Sequence, residues 1–330
     1  IVDEAAKAMP GDASISNMRG MGLMGDGDMP GAIASFKEAV KQAPKATAFT
    51  MNLARAHLVD KDLGSALEVL HGLMKSEPKY TPALALAAAA CLRAGEVEKA
   101  AGYVERLRQA EPDAPGTLRF EGDLAMAQKR HRDAWQAYRK VNDKAPSRES
   151  VIAEYRAGTL SGAAAPEQSM ERWIVDHPGD AIVISVLAEA RQRAGNVAAA
   201  IGLYEDGIAK APGNAVLLNN LAVLYQDERD PKALETAAKA HNLAPDAPAI
   251  KDTYGWILLE QGSADQALPL LRDAAKALPD NAEIQYHYAA ALAKSGDEAA
   301  ALPILRKAVG GQLPAAVKGD AQKLLRELSR

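Results

Sequence analysis

The chain has 330 residues, 48% of them apolar and 25% charged, and its 39 basic and 43 acidic residues give a net charge of −4. This composition excludes a disordered or collagen-like chain, and the absence of a basic excess argues against a dedicated nucleic-acid binder. The longest nearly uncharged apolar run, residues 82–92, is far shorter than the ~20 residues that cross a bilayer, so no membrane span is predicted.

Proline recurs along the chain with a period close to 34 residues. The prolines that show it are Pro10, Pro44, Pro78, Pro112, Pro146, Pro178, Pro212, Pro245 and Pro279. When each unit is numbered so that its proline falls at position 32, position 20 is alanine in eight of nine units. Position 8 is glycine or alanine in eight of nine. A fixed period of this length predicts a repeat architecture.

Each unit is predicted to contain two helices. Leu218, Leu221 and Tyr225 share one face of a first helix, and the apolar residues of 268–274 share one face of a second. Glycine followed by a polar residue, as at 95–96, marks the turn between the two, and the proline stops the second helix. The small residues at positions 8 and 20 mark where the two helices cross closely.

In chain order, we predict five segments. Ala5 and Pro10 fit positions 27 and 32 of a unit whose first helix is missing, so a repeat is expected to continue upstream. Leu324 and Leu328 lie among charged residues in the amphipathic pattern of a capping helix. The segments are the upstream tail (1–12), repeats 1 to 4 (13–146), a degenerate repeat 5 (147–180), repeats 6 to 9 (181–313) and the capping helix (314–330).

Repeat 5 departs from the pattern. Arg156 stands where a small residue belongs, Pro166 stands where alanine belongs, and the linker through Gly162 is two residues short. Two interpretations stay open: ordinary degeneration of one repeat, or a kink or hinge that divides residues 1–146 from 179–330.

The repeat pattern resembles the tetratricopeptide repeat family over nearly the whole chain. The residues that carry the resemblance are the small residues at position 8, the alanine at position 20 and the proline at position 32. The resemblance implies an all-α solenoid, a right-handed superhelix of helix-turn-helix repeats. It also implies that the first helices line a concave groove that binds partners. A lone unit buries too little apolar surface to fold, so the units must stack.

The sequence offers no candidate catalytic, cofactor-binding or metal-binding residues. The GxGxxG string at 20–25 lies inside a first helix rather than after a strand, so it does not predict a dinucleotide site. The six histidines are scattered without a metal-ligand spacing. Cys91 falls at position 11, an interior position, and is predicted to be buried rather than nucleophilic. We therefore predict that the chain is not an enzyme and needs no cofactor.

A partner-binding groove is predicted on the first helices. Positions 2, 5, 9, 12 and 13 lie opposite the interior positions 7, 8 and 11 at 100° per residue. In the first half these positions, in the register of the family, give Asn17, Met21, Met24, Met51, Arg55, Arg93, Arg119, Asp123 and Met126. In the second half they give Glu189, Gln192, Arg193, Asn219, Gln226, Asp227, Asp252, Trp256, Glu260 and Tyr286. A protein or peptide is the expected partner.

Two features of this groove have alternative interpretations. Position 12 is methionine or leucine in repeats 1 to 5 and glutamine in repeats 6 and 7. This predicts either partial burial against the next first helix or a methionine-rich channel for an extended peptide. Trp256 and Tyr286 are predicted on the open face, where they would stack on sugar rings or anchor a peptide, unless Trp256 packs between repeats.

The second half also resembles a narrower group. Residues 219–225, 240–245, 252–258 and 284–289 are similar to the C-terminal region of the tetratricopeptide lipoproteins associated with PEP-CTERM/exosortase systems. That resemblance implies a role in exopolysaccharide biosynthesis and protein sorting. It also implies a periplasmic location at the outer membrane, with a lipid anchor upstream of Ile1.

Three functions therefore stay open. The first is a non-catalytic scaffold that binds proteins, together with polysaccharide, during exopolysaccharide export or PEP-CTERM sorting. The second is the regulatory or substrate-binding array of a larger enzyme such as a glycosyltransferase. The third is a module that binds glycans directly.

Overall fold

The computed structural model describes residues 11–329, and this part of the chain contains nineteen α-helices and no strand. The first ten residues, on which most of the predicted upstream tail falls, lie outside the described residues. The helices of repeats 1 to 5 are α1 (Ala13–Gly25), α2 (Met29–Gln42), α3 (Thr47–Val59), α4 (Leu63–Ser76), α5 (Thr81–Arg93), α6 (Val97–Ala110), α7 (Pro115–Ala127), α8 (His131–Lys144), α9 (Arg148–Ser161) and α10 (Gln168–Asp176).

The remaining helices continue the alternation of first and second helices. They are α11 (Ala181–Arg193), α12 (Val197–Lys210), α13 (Ala215–Asp227), α14 (Lys232–Leu243), α15 (Pro248–Glu260), α16 (Ala264–Ala277), α17 (Ala282–Lys294), α18 (Glu298–Gly310) and α19 (Ala315–Leu328). The capping helix α19 packs on α18 and buries Ala321. The predicted all-α solenoid with a C-terminal cap is confirmed.

The helices form two compact units, unit 1 ending at Ser169 and unit 2 beginning at Met170. First helices pack on the second helices of their repeats, except that α9 of repeat 5 packs on α8, and some successive first helices also contact one another, as α5 and α7 do in unit 1 and α13 and α15 in unit 2. In each unit the first helices therefore form one layer and the second helices form the other.

Small residues mark the crossing of the two helices in a repeat. A Cβ atom added at Gly20 would lie 2.7 Å from the Phe36 ring, and one added at Gly122 would lie 2.6 Å from Cε1 of Tyr138. Ala32 at position 20 is fully buried. Because a large ring from the second helix occupies the space above position 8 in these two repeats, only hydrogen fits there without a shift of the ring. The predicted crossing point is confirmed.

The turn between the two helices places one residue in the left-handed region. Glycine occupies this site in most repeats, as at Gly95 with φ 76°. Lys61, Lys129 and Arg229 adopt φ values of 63°, 59° and 56° at the equivalent positions. L-residues with a Cβ are strained in this region, whereas glycine is not.

Lys129→Gly is expected to raise the free energy of unfolding by about 0.5 to 1 kcal/mol, because it relieves this strain at some cost in chain entropy. Urea unfolding followed by far-UV circular dichroism measures the effect. Gly95→Ala is the matched control and should lower the unfolding free energy by about 1 kcal/mol. A destabilised Lys129→Gly variant would contradict the strain argument.

In repeat 5, the residues of the first helix stand one repeat position later than predicted. Its first helix begins after Ser147, whose side chain accepts a hydrogen bond from Ser150 N–H. Counted from that cap, the buried residues of α9 follow the pattern seen in α5 after Tyr80. Tyr155 therefore occupies the interior position assigned to Arg156, and Arg156 is exposed. The prediction that Arg156 replaces the small residue of the crossing is wrong.

The close approach in repeat 5 occurs at Gly158 instead. A Cβ atom there would lie 2.9 Å from Cβ of Pro166 and 3.1 Å from the Trp135 ring. The buried Glu154 carboxylate accepts hydrogen bonds from Asn142 (2.8 Å) and Ser169 (2.5 Å), which ties α8, α9 and the start of α10 together. The short second helix is thus held by a polar network, and a hinge at this repeat stays a prediction.

Candidate partner-binding faces

The first-helix layer of each unit presents side chains that no other helix covers. We call the set Met18, Met21, Arg55, Arg93, Arg119, Arg156 and Leu160 the unit 1 face. All seven are exposed. They lie on α1, α3, α5, α7 and α9, so the face runs across every first helix of the unit.

The predicted groove residues divide into three groups by burial. Met21, Arg55, Arg93, Arg119, Glu189, Arg193, Asp227 and Glu260 are exposed. Met24, Asp123, Met126, Gln192, Asn219, Gln226 and Trp256 are partly buried. Asn17, Met51, Asp252 and Tyr286 are buried, with 3 to 8% of their surface exposed, so the prediction that these four face an open groove is wrong.

All four buried residues occupy position 5, and the cause is the stacking of repeats. Position 5 of one first helix lies beside position 6 of the next, 35 residues later in the chain. Asn52 Nδ2 donates to Asn17 Oδ1 at 2.9 Å. His287 Nδ1 lies 3.0 Å from both carboxylate oxygens of Asp252. Position 5 therefore joins neighbouring repeats in these places rather than facing a ligand.

Position 12 is partly covered as well. Met24, Leu92 and Met126 are half-buried and pack against the hydrophobic clusters of unit 1. The prediction of an open, methionine-rich channel along position 12 is therefore wrong. The methionines with the most exposed surface are Met18 and Met21, both 45% exposed on α1. Met18 was missed because position 6 was not assigned to the groove.

The unit 1 face carries four arginines that lack a carboxylate partner within residues 11–329. Arg55 donates to Asn52 Oδ1 at 3.0 Å, and the guanidinium of Arg119 lies 5.4 Å from the centre of the Phe120 ring. Arg93 and Arg156 are exposed and make no hydrogen bond or ion pair with the described residues. Sequence reasoning missed Arg156 because the register of repeat 5 was misassigned.

Some cations on and beside the second helices of unit 1 form ion pairs. Lys99 pairs with Glu96 at 3.2 Å, and Arg130 pairs with Asp133 at 3.0 Å. Arg108 pairs with Glu105 at 2.5 Å. Other second-helix cations, such as Lys41 and Lys140, form no ion pair with the described residues, so what distinguishes the first-helix layer is one exposed arginine without a carboxylate partner on each of α3, α5, α7 and α9.

The first-helix layer of unit 2 is aliphatic and polar. Ile182, Val216 and Val223 are 53%, 52% and 42% exposed. Oδ1 of Asn219, between Val216 and Val223 on α13, is buried without a hydrogen-bond partner. Glu189 is exposed beside this patch. Unit 2 therefore lacks the row of unpaired arginines seen in unit 1.

The aromatic residues near the end of unit 2 pack on one another. The Trp256 ring stacks on His287 with ring centres 4.1 Å apart and an angle of 19°. Tyr286 lies 5.6 Å from Trp256, and burial, with the charges of Asp320 and Glu260, raises the pKa of its hydroxyl to about 12. One face of Trp256 is thus covered, as expected for packing between repeats.

Three family models, each described as tetratricopeptide repeat, match residues 17–73, 60–117 and 154–309. The chain belongs to the tetratricopeptide repeat (TPR) family. A TPR repeat-containing protein of Pseudomonas aeruginosa is 27% identical over 229 residues, which cover 68% of this chain and 33% of the relative. The chain therefore spans about a third of the length of that curated relative.

One solved structure shows the same architecture, and a second is a weaker match. The crystal structure of the APC/C hetero-tetramer Cut9-Hcn1 matches with a TM-score of 0.50 and 14% identity, over 96% of this chain and 76% of that chain. A tetratricopeptide repeat protein from Parabacteroides merdae matches with a TM-score of 0.43 and 16% identity, over 85% of this chain and 98% of that one. At this identity the first match supports the TPR fold alone.

The titratable residues of the TPR array take structural positions. Within residues 11–329, no three His, Cys, Asp or Glu side chains are grouped so as to hold a metal ion. Nε2 of His71 lies 2.6 Å from the Tyr103 hydroxyl, and His177 stacks on Trp173. Burial raises the pKa of the Tyr138 hydroxyl, which donates to Asp123 at 2.7 Å. Nor is any helix in the described part of the chain long and apolar enough to span a membrane.

Cys91 is fully buried, and burial raises the pKa of its thiol. Because the thiolate is the reactive form, we expect Ellman's reagent to label Cys91 in the native protein at least about a hundredfold more slowly than in urea. A thiolate poised for catalysis would react at a comparable rate in both states. Rapid labelling of the native protein would contradict the assignment of Cys91 to the core.

Proposed function

We propose that this TPR protein is a non-catalytic scaffold that binds another protein through the unit 1 face. The observation that carries the proposal is the set of exposed side chains without intramolecular partners on that face. Met21 and Leu160 offer apolar surface, and Arg93 and Arg156 offer guanidinium groups. Methionine adapts its shape to a partner, and arginine is enriched where proteins bind one another.

We further propose that the scaffold works in bacterial exopolysaccharide export or PEP-CTERM protein sorting. The support is the similarity of residues 219–225, 240–245, 252–258 and 284–289 to the lipoproteins of those systems. On this proposal the protein lies in the periplasm at the outer membrane. A lipid anchor outside this chain would hold it there.

A photo-crosslinking amino acid in place of Met21 tests the scaffold function in cells. The full-length protein carries p-benzoylphenylalanine in place of Met21 or, as a control, in place of Gly102, which is exposed on the second helix α6. We expect a discrete adduct with an exported or envelope protein from the Met21 substitution alone. The same adducts from the Met21 and Gly102 substitutions, or none from the Met21 substitution, would contradict a partner site on the unit 1 face.

A regulatory array of a larger enzyme is the second candidate. The observation that favours it is length, since the chain spans only about a third of its curated relative. The reading frame of the full-length gene separates the candidates. A lipoprotein signal and further TPR units favour the scaffold, whereas a catalytic domain favours the enzyme.

Direct glycan binding is the third candidate, and it depends on Trp256 keeping one ring face open. His287 covers the other face, and Trp256 is partly buried. A glycan site predicts that saccharides change the tryptophan fluorescence of the native protein but not that of a Trp256→Phe variant. We expect no such change across a panel of bacterial exopolysaccharides, and a saturable change lost in the variant would promote this candidate above the scaffold.

A further inference from the structure

We infer that the occupant of the unit 1 face is an extended acidic segment of a partner protein, whose carboxylates bind the four arginines and whose apolar side chains pack between them. This inference rests on the proposed function and names the class of partner. The arginines are Arg55, Arg93, Arg119 and Arg156, one on each of the first helices α3, α5, α7 and α9.

The charge of the unit 1 face is not neutralised from within. Asp123 lies four residues after Arg119 on α7, and its Oδ1 already accepts a hydrogen bond from the Tyr138 hydroxyl. Glu154 is buried and accepts from Asn142 and Ser169. Asp123 and Glu154 thus form no ion pair with the arginines of this face, and a guanidinium forms its strongest contacts with carboxylates.

Glu121 also points away from the row. It lines a cavity of about 530 Å³ together with Glu105 and Arg108 of the second helix α6. Its charge acts on Arg108 there. The remaining acid, Glu149, lies in the first turn of α9, about two turns before Arg156. An acidic partner therefore meets cations across four helices, and none of these arginines is in an ion pair within the described residues.

The spacing of the helices fits an extended polypeptide. Packed helices lie about 10 Å apart, so three steps from α3 to α9 span roughly 30 Å. About nine extended residues cover that distance at ~3.3 Å per residue. Neighbouring arginines are also offset along their helices by four to eight residues, about 6 to 12 Å, so one carboxylate at every third to fifth residue would meet one arginine on each helix.

Apolar surface between the arginines favours a polypeptide over a polyanionic polysaccharide. Val59 and Leu160 are 58% and 59% exposed near the C-terminal ends of α3 and α9. Met18 and Met21 extend this surface on α1. A polysaccharide carries no large apolar side chains to cover these residues, whereas leucine or phenylalanine between acidic residues would.

Fluorescence anisotropy with three synthetic peptides of about twelve residues tests the inference on the full chain. The first repeats Asp-Leu-Ser, the second replaces each Asp by Asn, and the third replaces each Asp by Lys. We expect the acidic peptide to bind at least about tenfold more tightly than the other two. Its affinity should fall as salt rises, because these charges lie at the surface.

Two protein variants with equal loss of charge locate the site. The test variant changes Arg55, Arg93, Arg119 and Arg156 to Gln. The control variant changes Lys41, Lys75, Arg132 and Lys140 to Gln, which are exposed on the second helices α2, α4 and α8. We expect the test variant to lose at least about tenfold in affinity for the acidic peptide and the control to change less than about twofold.

Each other outcome has a defined meaning. An equal loss in both variants, equal binding of the three peptides, or no binding of the acidic peptide would overturn the inference. Tighter binding of polygalacturonate than of the acidic peptide, unaffected by Met18→Ser and Met21→Ser, would overturn it in favour of an anionic polysaccharide. Cellular crosslinking from the Met21 substitution identifies a candidate protein partner. If the affinity of that partner does not change in the test variant, the proposed scaffold function is supported, but the inference that the partner segment is acidic is wrong.

Discussion

Gly122→Leu is expected to lower the free energy of unfolding by about 3 kcal/mol, because overpacking a close helix crossing forces the neighbours apart. Even the first added carbon would lie 2.6 Å from Cε1 of Tyr138. Tyr138 cannot turn aside freely, since it is buried and its hydroxyl donates to Asp123. Urea unfolding followed by far-UV circular dichroism measures the loss.

Gly102→Leu is the matched control for this prediction. Gly102 lies in the interior of α6, and a Cβ atom there would meet no heavy atom within 4 Å. Leucine has the higher helix propensity, so this variant is expected to gain up to about 1 kcal/mol. Similar effects of the two substitutions would show that the crossing at position 8 does not hold the repeat together.

Asp252→Ala is expected to lower the free energy of unfolding by about 3 kcal/mol, because it leaves a buried polar partner without its contact. The side chains of His287 and Asp252 are only 7% and 12% exposed. Nδ1 of His287 lies 3.0 Å from both carboxylate oxygens of Asp252, and this contact joins α17 to α15. Hydrogen exchange of the amides of α15 and α17 shows whether the loss is local, as stacking of repeats requires.

A double-mutant cycle isolates the contribution of this pair. Asp252→Ala, His287→Ala and the double variant should show a coupling energy of about 2 kcal/mol. Lys239→Ala, which breaks the exposed Lys239–Glu235 ion pair (2.7 Å), is the control and should cost less than about 0.5 kcal/mol. Additive effects of the two substitutions would mean that the pair does not join repeats 8 and 9.

The fold could be predicted from the sequence because the same positions, which fix the helix crossing and the end of the second helix, recur in nearly all of the nine repeats. The small residue at position 8 and the alanine at position 20 identify the crossing wherever they recur. The same reasoning assigned Tyr155 and Arg156 to the wrong positions of the first helix, because repeat 5 departs from the pattern that the other eight repeats share. There the helix register depends on the capping side chain of Ser147, which the position of the proline does not fix.

The binding face was harder to predict than the fold. A 100° step per residue separates the inner from the outer side of one helix, but it contains no information about the next helix. Asn17 and Asp252 therefore looked open, although Asn52 and His287 of the following repeats cover them. Polar or aromatic residues 35 positions apart, at positions 5 and 6 of successive repeats, are the sequence signal that would have shown this.

The central claim is that the arginine row of the unit 1 face recognises negative charge, and charge reversal tests it most directly. A variant with Arg55, Arg93, Arg119 and Arg156 changed to Glu is titrated with the acidic peptide and with its lysine counterpart. We expect the preference to invert: the variant should lose the acidic peptide and bind the lysine peptide at least about tenfold more tightly than the wild-type protein does. If the variant still prefers the acidic peptide, or binds neither peptide better than the wild type while remaining folded, the arginines do not form the binding site.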